Sequence, residues 1–165
     1  MPKLLVSMFL VALPALGASF APSTYVTTTE IESALKDAPP GGQVYDKVIK
    51  TVDAGGYKVS IVILRRIPVP GKEDSALSHE RVTEVYQIVS GAGTLETGGE
   101  LTKTSPVDLT LQAAGPSTRG TLSGGESRHV GPGDIAVILP GVPHRFAKLE
   151  GTITYLVTRI ELQGR

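Results

Sequence analysis

The sequence predicts an all-β fold, a sandwich or a barrel, preceded by one short helix. Three observations predict it. Residues alternate in type over several stretches: Tyr57, Val59, Ile61 and Ile63 with Lys58 and Ser60, and Glu84, Tyr86 and Ile88 with Val85, Gln87 and Val89. The same holds for Ile153, Tyr155, Val157 and Arg159 with Thr152, Thr154, Leu156 and Thr158. Alternation with period two is the mark of a strand with unlike faces. Nineteen Gly and twelve Pro punctuate these runs, as tight turns between short strands require. No helical periodicity interrupts residues 43 onward.

The elements follow in order. Lys3 and the mostly apolar run Leu4–Leu16 resemble an export signal, with small residues at Ala15, Gly17, Ala18 and Ala21 for the peptidase. The run is 13 residues long, too short to span a bilayer. Residues 1–18 are therefore assigned to a signal peptide, with cleavage between residues 17 and 22 and a secreted or periplasmic product. No stable membrane span remains once it is removed. Thr29-Glu30-Ile31-Glu32 matches a capping box, with Thr29 as N-cap and Glu32 at N3. A helix should run from there to about Lys36, stopped by Pro39-Pro40-Gly41-Gly42. Residues 97–132 are rich in Gly, Ser, Thr and Pro and read as a long excursion, a lid over a pocket or a contact between chains.

Composition narrows the function. The chain of 165 residues suffices for one domain with a core. Lys plus Arg equals Asp plus Glu, so nothing suggests a nucleic-acid partner. Loss of residues 1–18 takes away Lys3 and no acid, leaving a net charge of −1. Cys is absent, so an exported product relies on burial, and on metal or pairing of chains, rather than on disulfides.

Two spaced segments carry the chemistry. The first runs from Gly71 through His79 and Glu84 to Gly91; the second runs from Gly133 through Pro140, Gly141 and Pro143 to His144. They resemble the two motifs of the cupin superfamily. Gly71, His79, Glu84 and Gly91 fall in register with the first motif, and Leu77 stands where its first His is usual. Gly133, Gly141 and His144 match the second motif; Leu139 and Lys148 replace its Pro and Asn. Seven of ten fixed positions agree, and the likeness extends over roughly residues 43–162. It implies a double-stranded β-helix, a jelly-roll barrel with a short N-terminal helix. Residues 19–42 are then an N-terminal extension and 43–162 the cupin domain.

The resemblance also implies a divalent metal in the barrel mouth, held by His79, Glu84 and His144. Neighbouring strands lie about 4.8 Å apart, so inward side chains can converge on one ion. Two imidazoles and a carboxylate suit Fe(II), and also Mn, Ni, Co or Zn. Leu77 leaves two readings open: a three-ligand site with more open positions, or a pocket that binds only an organic ligand.

Glu84 shares the parity of Tyr86 and Ile88 and so faces the interior, where a carboxylate needs a metal or an Arg as partner. Tyr86 is a candidate proton donor, substrate contact or core residue. Glu84 itself is a second candidate for proton chemistry. Leu77, Tyr86 and Phe146 would line the pocket. One of Arg65 and Arg66 should face it, and Arg65 is assigned as the group that holds a substrate carboxylate. His129 and Arg145 are left to the surface.

The resulting expectation is an exported cupin that binds a metal and a small molecule. Its chemistry would be that of a dioxygenase, or of an isomerase or decarboxylase. The alternatives are a non-enzymatic binder of a sugar or metabolite with a degenerate metal site, and a matrix component. A homodimer is expected, because many cupins pair sheet edges.

Overall fold

The computed structural model describes residues 22–71 and 75–163. The export signal expected over residues 1–18 lies outside them, as do Lys72, Glu73 and Asp74 of the first spaced segment. Among the described residues eleven strands form two antiparallel sheets. They are β1 (Val44–Asp53), β2 (Tyr57–Arg66), β3 (Ala76–His79), β4 (Val82–Ser90), β5 (Gly93–Thr97) and β6 (Glu100–Leu109). After a 3₁₀ turn (Thr110–Gln112) come β7 (Gly115–Ser123), β8 (Glu126–Val130), β9 (Ile135–Ile138), β10 (His144–Leu149) and β11 (Ile153–Leu162). One sheet has the order β1-β2-β11-β4-β9 and the other β6-β7-β3-β10-β5-β8. The core lies between them, built from Val62, Leu64, Tyr86, Ile88, Leu95, Phe146, Ile153, Tyr155 and Val157, among others. This is the all-β, double-stranded β-helix the sequence predicts.

The helix begins two residues earlier than expected. Helix α1 spans Thr28–Lys36 and its N-cap is Thr27, not Thr29. Glu30 N donates to Thr27 Oγ1 at 3.3 Å, and Thr27 N donates to the Glu30 carboxylate at 2.7 Å. Both Thr27/Glu30 and Thr29/Glu32 satisfy the capping pattern, and tertiary contacts decide between them. Glu30 also receives Lys50 of β1 at 2.9 Å. Val26 and Ile31 line one apolar depression on the outer face of the five-stranded sheet, in the positions of a hydrophobic staple. Among the described residues no helix is long and apolar enough to cross a membrane.

Residues 97–132 are not an excursion. They hold β6 and β7, which form one edge of the six-stranded sheet, and β8, which forms the opposite edge. The inward positions of β7 are Gly115, Ser117, Gly120 and Leu122. Three of the four are too small to register as apolar, and the inward parity changes between Ser117 and Gly120, so the strand carries no period-two apolar signal. Gly120 has a packing reason: a Cβ there would come within 2.7 Å of Thr102 O. Neither a lid nor a free loop remains for this segment.

Gly91, the last position of the first motif, is forced twice. Its φ is +76°, and an added Cβ would meet Thr152 O at 2.1 Å and Ile153 Cα at 2.8 Å. The left-handed backbone alone costs an L-residue roughly 1–2 kcal/mol, and the clash with β11 adds to that. Gly91→Ala should therefore lower unfolding free energy by at least about 1 kcal/mol, read as a lower urea midpoint at unchanged m-value.

Candidate metal centre

The two sheets supply the site jointly. His79 ends β3 and His144 begins β10, neighbours in the six-stranded sheet; Glu84 comes from β4 of the facing sheet. The carboxylate therefore reaches across the core to meet two imidazoles, rather than lying on a strand adjacent to theirs. Turn residues of the second motif fix the imidazole-bearing strands. Gly141 N donates to His79 O at 2.8 Å, and Gly98 N donates to Pro143 O at 2.9 Å. Gly133 N donates to Ile88 O at 2.9 Å and Ile88 N to Asp134 O at 3.0 Å, which ties that motif to β4.

The three side chains are buried, and one donor atom from each lies within 4.8 Å of the others. Glu84 Oε2 is 3.4 Å from His79 Nε2 and 3.2 Å from His144 Nε2. Two ligands at right angles on an ion about 2.1 Å away would sit about 3 Å apart, so these separations suit one ion.

Hydrogen bonds on the far side of each ring fix its tautomer. His144 Nδ1 lies 3.1 Å from Val142 O, a group that can only accept, so Nδ1 carries the proton. His79 Nδ1 lies 2.7 Å from Ser117 Oγ. The single hydroxyl proton of Ser117 has two carbonyls to go to, Gly115 O at 3.1 Å and Ala114 O at 3.3 Å. Its lone pair is then left to accept from His79. Both Nε2 atoms face the same carboxylate oxygen, Glu84 Oε2. In neutral rings of this tautomer each Nε2 offers a lone pair toward that oxygen, an arrangement that one cation between the three atoms would satisfy. The outer partners are the kind that orient metal-ligating imidazoles.

The other side of Glu84 is closed by a residue the sequence reading did not assign. Arg159 of β11 is the cross-strand neighbour of Glu84, and its Nε donates to Glu84 Oε1 at 2.7 Å. The guanidinium fork continues to Asp46 of β1, with Nη1 to Oδ1 at 3.0 Å and Nη2 to Oδ2 at 2.9 Å. Nη1 also donates to Gln112 O. Burial alone would raise the Glu84 carboxyl; the two imidazoles and the Arg159 charge reverse this and hold it well below the usual carboxylate range. Burial works against the Arg159 charge, and Glu84 and Asp46 overcome it, keeping the guanidinium protonated. The Tyr86 hydroxyl donates to Glu84 Oε2 at 3.1 Å. Burial first, and then the Glu84 charge, push that phenol well above its ordinary value, so it remains a donor. A signal for Arg159 existed: it shares parity with Tyr155 and Val157, and a buried carboxylate across the strand needs a partner.

A cavity of about 620 Å³ opens beside the cluster, lined by Leu77, His79, Tyr86 and His144 together with Val44, Asp46, Leu64 and Leu109. Leu77 is the cross-strand neighbour of His144 and forms part of the wall. Phe146 does not; it lies in the core beneath, with its ring 5.5 Å from that of Tyr155. Arg65 lies away from the cavity, where Nη2 donates to Pro39 O at 2.7 Å. Arg66 lines it instead, with Nε donating to the Tyr155 hydroxyl at 2.8 Å and its guanidinium 5.7 Å from the centre of the Phe146 ring. The physical reason lies in β2. Its even positions, Ser60, Val62 and Leu64, face the core, whereas Val59 and Ile61 line the outer depression beside α1. Ile61, Val62, Ile63 and Leu64 are all apolar, so the sequence alone leaves the parity open. His129 is exposed and 3.4 Å from Glu150, and Arg145 pairs with Glu96 at 2.8 Å.

Ligand positions from both motifs thus converge between two facing sheets of a double-stranded β-helix. The chain has the cupin fold. No family model matches it, and no curated protein does. Among solved structures it is similar to a protein of unknown function from Rhizobium leguminosarum, at 21% identity and TM-score 0.46 over 84% of this chain and 97% of that one. It is also similar to an uncharacterised protein with a double-stranded β-helix domain from Klebsiella pneumoniae, at 14% identity and TM-score 0.44, covering 87% and 100% of the two chains. A third is KdgF from Halomonas sp., at 15% identity and TM-score 0.43, covering 77% and 87%. None of these likenesses bears on what this chain binds.

Proposed function

We propose that this cupin binds one divalent metal ion through His79 Nε2, His144 Nε2 and Glu84 Oε2, and a small organic molecule in the cavity beside it. The observation that carries the reading is the convergence of two imidazole nitrogens and one carboxylate oxygen, all buried and within 4.8 Å of one another. Two imidazoles and one carboxylate suit Fe(II) and accept Mn, Ni, Co or Zn. Bound there, such an ion supplies Lewis acidity toward a substrate oxygen, or one-electron chemistry with dioxygen. Tyr86 holds its proton against Glu84 Oε2 and stands at the cavity wall. Leu64, Leu77 and Leu109 keep water from the side of the cavity they cover. The reaction classes that fit are oxygen-dependent oxidation, isomerisation and decarboxylation of a small molecule.

The test is elemental analysis of protein purified without chelators, followed by oxygen uptake over a substrate panel. About one metal per chain is expected. Its absence after reconstitution with Fe(II), Mn, Ni and Zn would sink the metal reading.

A second reading, a ligand-binding cupin without turnover, is favoured by one residue. Leu77 puts an apolar wall where a fourth ligand is usual. Leu77→His restores an imidazole beside His144, and divalent metal should then bind tighter by at least about tenfold, the scale on which even outer partners act. A competition titration with a chelator reads this.

The Leu4–Leu16 run supports export to the periplasm or medium, which N-terminal sequencing of the mature protein would check. Pairing into a homodimer is supported by β9, an edge strand whose Ile135 and Val137 are more than 60% exposed (65% and 62%). Light scattering would decide that point.

A further inference from the structure

Glu84 is clamped from two sides, and the clamp has a consequence for any ion at the site. Oε1 takes the Arg159 Nε hydrogen at 2.7 Å, while Oε2 takes the Tyr86 hydroxyl at 3.1 Å and faces both imidazoles. Arg159 is itself held rigid, because Asp46 receives its fork on two hydrogens and Gln112 O receives a third. Planar, bidentate pairing of this kind fixes a guanidinium far better than a lysine could be fixed.

We infer that Arg159 is a positioning residue for the metal centre: it occupies Oε1 and so confines Glu84 to a single ligating oxygen of reduced donor strength. The inference rests on the metal reading proposed above. Two effects follow from the geometry. The carboxylate cannot turn to present both oxygens, so positions on the cavity side stay open for an organic ligand. The guanidinium charge also offsets the Glu84 charge, which weakens the attraction of the site for any cation.

A residue that served only to hold the fold would act with the opposite sign. Its removal would loosen the cluster and weaken metal binding. Removal of a clamp frees Oε1 and the full carboxylate charge, and metal binding tightens. The size should fall in the range of about 10–100-fold known for outer partners of metal ligands.

Co(II) is the probe, because its visible absorption reports coordination number as well as binding. The full chain and its Arg159→Met variant are titrated with Co(II) at a temperature where circular dichroism shows both folded. Tighter Co(II) binding in the variant is expected, with a weaker visible band as Oε1 joins the ion. Arg159→Lys is the second variant should the first not fold. It keeps a charge but cannot reach both carboxylates, so the same changes are expected at smaller size. Unchanged or weaker binding with an unchanged band would overturn the inference and leave the metal site standing. No Co(II) binding by the native chain would overturn the metal reading and this inference with it.

Discussion

Replacing His79 and His144 together by Ala should abolish divalent-metal binding, taking the protein from about one ion per chain to none. Each imidazole is fixed in the tautomer that presents Nε2, by Ser117 for His79 and by Val142 O for His144. Each therefore points Nε2 at the shared carboxylate oxygen without further reorganisation, and among the described residues His79, Glu84 and His144 form the group placed to hold an ion. With both gone, Glu84 is left as one carboxylate whose second oxygen is held by Arg159. The loss should exceed the roughly 10–100-fold effect of outer partners. His129→Ala is the control, since that imidazole is exposed beside Glu150 and outside the cluster; it should leave stoichiometry unchanged. Thermal denaturation gives an independent reading. At free metal about 100 times the dissociation constant, a bound ion adds about 2.7 kcal/mol to the native protein, a shift of several degrees for a domain of this size. The double variant should show no shift on adding metal. Retained metal in the double variant would place the ion elsewhere.

The parts of this fold that could be read from sequence are those where residue size and polarity follow the pleat. Residues 84–88 and 153–159 alternate between a buried face and a half-buried one, and the structure buries Glu84, Tyr86, Ile153, Tyr155 and Val157. The two motifs place Gly71, Gly91, Gly133 and Gly141 at positive φ, which favours glycine, and at Gly91 the neighbouring backbone closes the space as well. Three features were not legible, for three physical reasons. Strand β7 is lined inside by Gly115, Ser117 and Gly120, so its periodicity carries no apolar signal. Strand β2 is apolar on both faces, so the choice between Arg65 and Arg66 depended on where α1 packs. The helix start had two equal capping patterns, and Lys50, from another element, chose between them. The site shows the same division. The candidate ligand residues were visible in spacing and the parity of Arg159 was too, but its pairings with Glu84 and Asp46 were not, because they join residues 75 and 113 positions apart.

Arg159→Met, measured without metal, should be the most destabilising single change at the site. The residue is 3% exposed, and its side chain balances Glu84, which is fully buried, and Asp46. Removing one partner of a buried pair typically costs about 3–5 kcal/mol, because the remaining charge stays in a poorly solvated place. Here two carboxylates lose one cation, and Gln112 O loses its donor as well. The expected loss is thus at the upper end, about 4–5 kcal/mol by urea denaturation. The cause can be separated from simple loss of packing. Adding Asp46→Asn and Glu84→Gln to Arg159→Met removes the unpaired charges while keeping the volumes, and should recover part of the loss; a cavity-driven defect would not respond. Added divalent metal should also stabilise Arg159→Met more than the native protein, since the ion replaces the missing positive charge beside Glu84. An Arg159→Met protein as stable as the native chain would mean that Glu84 is neutral at this site, and the charge balance inferred for the centre would be wrong.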